Sequence, residues 1–298
     1  MTGRQREALD FYIGVSPWFI GFVLFSMGPI IASLVLSFTQ WQILASPQWI
    51  GLSNYRYLVA DDEIFWVSLG NTLYYTSLSV PLGLMASILL ALLVNQKVPG
   101  TNVFRTIYYL PSVTAGVAVA LLWAWILNPN FGLVNYVLSL VGIKGPMWLS
   151  SVRWSKPALI LMSLWGVGGG MVIFLAALQG MPEHLYDAAK IDGAGTWRLF
   201  RHITMPMLTP TIFFMMVTSI IGSLQTFTNV YVMTQGGPGT STLMYGLYIY
   251  QNAFTFLKMG YACALSWVLF GIILALTWLQ FRVGSAWVYY EAELRPQR

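Results

Sequence analysis

The chain has 298 residues, 57% hydrophobic and 8% charged, where a soluble domain averages about 25% charged. Water does not keep so apolar a chain monomeric, so its solvent is lipid, and a freely soluble enzyme or binding module is excluded. The net charge of +5 suits the basic cytoplasmic loops of a membrane protein and gives no sign of a nucleic-acid partner.

A spanning helix needs about 20 mostly apolar residues. The first charge-free run, 11–38, is too long for the apolar core of a cleavable signal peptide and lacks a small-residue cleavage site. It is expected to form the first span, roughly 11–37. Further spans are expected near 69–94, 105–127, 157–179, 211–233 and 260–282. "NPNFG" at 128–132 and "TQGGPG" at 234–239 break the runs too long for one helix. Lipid offers backbone groups no hydrogen-bond partner, so the spans must be helices. Pro17, Pro29, Pro81 and Pro111 are expected to kink them. Cys263 lies alone in an apolar run and reads as a small packing residue. The expected fold class is an all-α integral membrane protein with six transmembrane helices, in one permease-like domain over 1–298.

Loop Lys and Arg set the orientation. With the N-terminus inside, the inner segments hold Arg4, Arg6, Lys97, Arg105, Lys190, Arg198, Arg201, Arg282, Arg295 and Arg298. The outer segments hold Arg56, Lys144, Arg153, Lys156 and Lys258. Ten against five places both termini in the cytoplasm. The outer loops are then about 39–68, 128–156 and 234–258, the first carrying the acidic run Asp61, Asp62, Glu63.

Chemistry is sparse. His184 and His202 are 18 residues apart with no Cys nearby, which makes solvated loop histidines and no metal site. There is no G-x-x-x-x-G-K-[ST] loop to cradle ATP and no G-x-S-x-G nucleophile turn. The span interiors hold no Asp, Glu, Lys, Arg or His, the residues of membrane proton relays. The chain has helices for a pathway and no engine of its own.

One stretch stands apart, the charged and Gly-punctuated loop at about 180–206. Pro182 can open a helix, with Glu183 and Asp187 near its positive end. Leu185, Ala188 and Ala189 form a small-residue face, and Gly193 and Gly195 break it. Thr196 is expected to cap a second short helix, "WRLFRHI", which Pro206 stops. Two short helices at an elbow would make a rigid knob on the cytoplasmic side, a shape suited to docking a soluble partner.

This stretch resembles the cytoplasmic motif of binding-protein-dependent ABC importer permeases: E-A-A, three residues, G, nine residues, I-x-L-P. Here it reads Asp187-Ala188-Ala189, then Gly193, then Ile203-Thr204-Met205-Pro206, with both spacings intact. Asp replaces Glu and Met replaces Leu, which keeps a carboxylate and keeps apolar bulk. The resemblance extends along nearly the whole chain, through "SPWFIGFVLFSMGPIIASLVLSFTQW", "FRTIYYLPS" and "TQGGPGTSTLMYGLYIYQNAF", and points to the maltose-permease-like sugar branch. It implies a type I importer fold in a bacterial or archaeal cell membrane. It also implies a second homologous permease, two ATPase subunits and an extracytoplasmic solute-binding protein. No cofactor is expected on this chain, because ATP and Mg are bound by the ATPase. Asp187, Ala188, Ala189, Asp192, Gly193, Ile203 and Pro206 would couple to that ATPase. The cargo would be an oligosaccharide or a glycerol-3-phosphate-like solute.

A sugar path needs hydrogen-bonding groups and an aromatic face. In the fifth span Ser219, Ser223 and Thr226 fall on one helical stripe, with Gln225 and Asn229 as a neighbouring i, i+4 pair. The fourth span offers Trp165 beside Gly166, Gly168, Gly169 and Gly170, glycines better read as helix packing. The expected path residues are Trp165, Ser223, Gln225, Thr226 and Asn229. Two other readings stay open on the residues alone. A stand-alone facilitator or sodium-coupled carrier can bind Na⁺ through backbone carbonyls. A polytopic membrane enzyme is disfavoured by the lack of a His, Asp or Glu cluster near a membrane face.

Overall fold

The computed structural model of the protein describes residues 3–96 and 98–289. Lys97, Arg295 and Arg298, three of the charges used for orientation, lie outside the described residues. The regular elements of the described chain are helices apart from one short hairpin, Thr39–Gln40 with Gln48–Trp49. Among the described residues, four helical stretches are long and apolar enough to cross a membrane: Asp10–Ser37, Glu63–Val94, Thr196–Leu224 and Met259–Gly284. Two bent pairs bring the number to six if each pair is one span. They are Thr101–Val113 with Gly116–Ile126, bent by 100°, and Ser155–Gly166 with Gly168–Gln179, bent by 45°.

The prolines act unequally. Pro111 stands in the 3₁₀ turn Leu110–Val113, and Thr114 is extended just after it, which makes the sharp bend there. Pro29 follows a wide π turn at Val23–Met27. Pro17 and Pro81 sit inside unbroken helices. Pro206 does not stop the helix that begins at Thr196. A π turn at Phe200–Thr204 precedes it, and the helix runs on through Met205–Leu224. The widened turn shifts the carbonyls that a pyrrolidine ring would otherwise strike.

The fifth span differs most from expectation. It starts at Thr196 and ends at Leu224, and a separate short helix, Thr228–Met233, follows a break at 225–227. Gly246 packs on this break so closely that a Cβ there would lie 2.9 Å from the Thr226 carbonyl oxygen. Gln225 and Asn229 are therefore on different elements and are not a helical i, i+4 pair.

The chain divides into two compact units. One comprises residues 1–63 and 249–272. In it the Asn54 amide donates to the carbonyls of Ser37 and Thr39, both at 2.9 Å, and Tyr55 meets Ser37 at 2.7 Å. Asp62, the middle of the acidic run, is buried and accepts a hydrogen bond from Tyr261. The run is thus not simply a solvated loop, since its central carboxylate is a structural tie.

The other unit comprises residues 64–248 and 273–298. Its core joins Ala91 and Val94 to Met171, Phe174, Leu175, Leu178 and Leu208. A second cluster joins Ala120, Trp123 and Leu127 to Ala158 and Met162. The glycine run of the fourth span serves close packing in part. A Cβ on Gly168 would fall 1.9 Å from the Tyr108 carbonyl oxygen, and one on Gly170 would fall 2.6 Å from Ser87 Oγ. Gly166 meets nothing within 4 Å.

Candidate functional site

Helix Glu183–Ile191 carries the charged motif. Its end is a Schellman turn: the Gly193 N–H donates to Lys190 and the Ala194 N–H donates to Ala189, at 3.0 and 2.9 Å. Gly193 holds φ +77°, the left-handed value that this turn requires and that glycine adopts without strain. The next helix is Thr196–Leu199 with Gly195 as its N-cap, so Thr196 is the first helical residue and makes no cap bond. Tyr186 joins the two arms through its hydroxyl, 3.0 Å from the buried Thr204 hydroxyl. Among the described residues Asp187 pairs with Lys190, at 3.3 Å and well exposed, a contact that contributes little to stability. Asp187 is thus available on the surface.

The elbow brings Ala189, Asp192 and Ile203 around one groove of about 280 Å³, with Ala194, Arg198 and His202. Asp187 lines a different recess, with Glu183, Lys190 and Arg105. At the tip of the elbow two large apolar side chains stand in the open, Ile191 at 87% and Trp197 at 72% exposure. Neither is an expected motif residue. A knob with charged flanks and two bare apolar tips has the composition of a docking surface.

A second feature lies among the spans. A cavity of about 310 Å³ opens between helices Glu63–Val94, Ser155–Ser163 and Met205–Leu224, within the range of ligand sites. Tyr75, Ser79 and Ser87 come from the first of these helices, Ser163 from the second, and Ser219 and Ser223 from the third. Thr226, in the break, completes the wall, and Gly83, Gly166, Gly170 and Gly222 leave it room. Among the described residues, no charged side chain lines it. Most of these hydroxyls have partners: Ser223 donates to Thr76 at 3.0 Å and Ser87 to the Val167 carbonyl at 3.1 Å. The Tyr75 hydroxyl lies against Ser163, Thr226 and Ser79. Ser79 Oγ is buried and makes no hydrogen bond of standard geometry. That oxygen has no surface open to the cavity and lies against the Tyr75 hydroxyl instead.

Of the expected path residues, Ser223 and Thr226 line this cavity, as does Ser219 of the same stripe. Trp165, Gln225 and Asn229 do not. Trp165 is half-exposed and meets Trp123 edge-on at 5.8 Å. Gln225 is exposed on this chain and Asn229 is half-buried, so neither is a buried amide in need of a partner. The sequence reading missed Tyr75, Ser79, Ser87 and Ser163. A signal existed: Tyr75, Ser79, Gly83 and Ser87 repeat every four residues, a polar and small stripe in an otherwise aliphatic helix.

Residues 79–286 match the family described as binding-protein-dependent transport system inner membrane component. The chain is similar to YesP, a probable ABC transporter permease protein of Bacillus subtilis (strain 168), with 40% identity over 97% of this chain and 94% of that one. It is also similar to the lactose transport system permease protein LacF of Rhizobium radiobacter, with 37% identity over 94% and 98% of the two chains. Among solved structures it resembles a chain of a bacterial alginate ABC transporter in complex with an alginate pentasaccharide-bound periplasmic protein. That likeness has a TM-score of 0.82 and 27% identity and covers 93% of each chain. This chain, with its ABC importer permease fold, belongs to the inner membrane components of binding-protein-dependent transport systems.

Proposed function

We propose that this permease forms half of the translocation path of an ATP-driven importer of a neutral sugar, of oligosaccharide type. One observation carries the reading: a charge-free cavity walled by hydroxyls sits on the same helix, Thr196–Leu224, that begins at the exposed knob. Hydroxyls and an aromatic ring can replace the water shell of a sugar, and without a cation they leave the charge of a phosphate or a carboxylate uncompensated. The absence of charge therefore favours a neutral glycoside over a glycerol-3-phosphate-like solute. The lactose system of one relative fits a neutral saccharide cargo; the alginate system of a structural neighbour imports an acidic polysaccharide and supports a saccharide of either charge.

On this reading six helices cross the membrane and both termini are cytoplasmic, with the whole chain acting as one permease domain. A second permease faces this one, and Trp165, Gln225 and Asn229 belong to the path on the side it closes. Two ATPase subunits hold the ATP and Mg, and a solute-binding protein delivers sugar outside. Asp187, Ala188, Ala189, Asp192, Gly193, Ile203 and Pro206 shape the knob that the ATPase grips, with Ile191 and Trp197 as its apolar tips. Closure of the ATPase dimer moves the knobs, and the spans rock between outward-open and inward-open states.

The test is reconstitution of the permease pair with its ATPases in vesicles, with ATP inside and the binding protein outside. Radiolabelled neutral oligosaccharides should accumulate, and glycerol 3-phosphate should not. Sugar uptake by this chain alone, without ATP or partners, would make it a facilitator and sink the proposal. Uptake that follows a sodium gradient would do the same.

A further inference from the structure

The short helix Leu133–Leu140 lies between two candidate spans and takes no part in the knob or the cavity. It is amphipathic in an unusual sense. Its inward residues, Val134, Asn135 and Leu138, are half-buried. Val134 packs on the cluster built around Trp123 and Leu127. Asn135 is a three-way tie: its amide donates to the carbonyls of Pro129 and Pro146 at 3.1 and 3.2 Å, and its oxygen accepts from Trp148 Nε1 at 2.8 Å. The helix is thereby clamped in one rotational setting. That setting turns Leu133, Tyr136, Val137, Leu140 and Val141 outward, each between 52% and 70% exposed. Their spacing of i, i+3, i+4, i+7 and i+8 is one continuous apolar stripe.

The stripe does not stand alone. On helix Gly116–Ile126 the residues Val117, Leu121 and Trp125 form an exposed row at four-residue spacing. Trp125 reaches Phe131, with ring centroids 6.3 Å apart, and Phe131 leads into the short helix. The apolar face of a candidate span is thus continuous with the stripe. Lys144 follows at the rim of a recess of about 440 Å³ that Trp125, Phe131 and Tyr136 also line.

We infer that Leu133–Leu140 is an interfacial helix that lies in the boundary between headgroups and acyl chains, a membrane anchor separate from the spans. Lipid is the occupant the surface fits. It continues the lipid-facing side of a span, and Trp125 and Tyr136 are the ring types that settle at headgroup depth. Lys144 can extend from that depth to lipid phosphates. A soluble binding protein is a poorer match. It leaves between transport cycles, and the whole stripe would then stand in water, an exposure that soluble surfaces avoid. Neither the cargo nor the membrane face involved matters for this seat.

The experiment places spin labels on the intact permease assembly in vesicles of phosphatidylethanolamine and phosphatidylglycerol. Cys263→Ser removes the native thiol, and Val137→Cys, Leu140→Cys and Asn130→Cys each supply one label. The expected result is oxygen collision exceeding that of a water-soluble nickel chelate at Val137 and Leu140, with the order reversed at Asn130. Brominated acyl chains should also quench a fluorophore at Val137 several-fold more than one at Asn130. Nickel collision dominating at Val137 would show a stripe open to water and overturn the inference. Low collision with both reagents, with an immobilised label, would show a protein seat such as the second permease and overturn it equally.

Discussion

Gly193 holds the elbow of the knob at a backbone angle that side chains resist. A β-branched residue there costs about 1–2 kcal/mol of local strain. Open space surrounds the position, with nothing within 4 Å of where a Cβ would stand, so Gly193→Val does not clash and acts through the turn alone. The variant should insert and assemble, yet lose ATP-driven uptake by about tenfold or more, since 1.4 kcal/mol is a factor of ten. Uptake at the parental rate would remove the elbow from coupling. Ser79 offers a second residue-scale test. Ser79→Ala removes a fully buried hydroxyl that lies against the Tyr75 hydroxyl, so it tests the cavity wall. If Ser79 aims the Tyr75 hydroxyl at sugar, the apparent KM for uptake should rise by up to about tenfold, the worth of one hydrogen bond. An unchanged KM would leave that hydroxyl to packing. At this scale the motif residues were legible because their spacing is a pattern along the chain. Ser163 was not, because a serine in a span usually bonds back to its own helix, as this one does to Ile160. Only the cavity shows which hydroxyls also face an opening.

Elements depend on ties that periodicity does not reveal. Asn71, buried in helix Glu63–Val94, donates to the carbonyls of Thr240 and Leu243 at 2.8 and 3.1 Å. Its oxygen accepts from the Lys156 ammonium at 2.9 Å, which also stands over the Tyr74 ring. One amide thus holds two helices and the Gly-rich segment after residue 233 together. Asn71→Leu leaves two carbonyls and an ammonium without their partner, a loss of about 2–4 kcal/mol. Thermal melting of the purified assembly should fall by several degrees, and limited proteolysis should begin at 234–243. Unchanged melting and cleavage would mean that water replaces the amide. The helices themselves were legible from hydropathy, which sees only length and apolar content. Their ends were not. The break after Leu224 depends on Gly246, and the turn that lets Pro206 pass lies in the helix ahead of it. Both are effects of distant or wider backbone geometry that a local window misses.

At the scale of the molecule the orientation gives the sharpest test. With Cys263→Ser as background, a cysteine at Asp61 should react with an impermeant thiol reagent added outside intact cells. One at Ala194, beside the knob, should react only after the inner face is opened. The reverse pattern would overturn the proposed topology and the docking role with it. The family was legible in the sequence because motif, loop and span segments recur in order over nearly the whole chain. Fewer of the cavity residues were, because one wall helix carries a readable stripe and the rest of the wall comes from distant segments with no shared spacing.

The helix Thr196–Leu224 runs 29 residues from the knob to the cavity wall, about 43 Å at 1.5 Å per residue. Such a rod fixes a phase as well as a distance. Each residue added or removed turns one end relative to the other by about 100°. A single inserted alanine near Phe214 would point Ser219 and Ser223 away from the opening while leaving the knob intact. Seven inserted residues would restore the angle to within about 20° but push the ends about 10 Å apart. No insertion satisfies both, so knob and cavity are locked in rotational register by a count of residues, much as two gears are timed by a shaft.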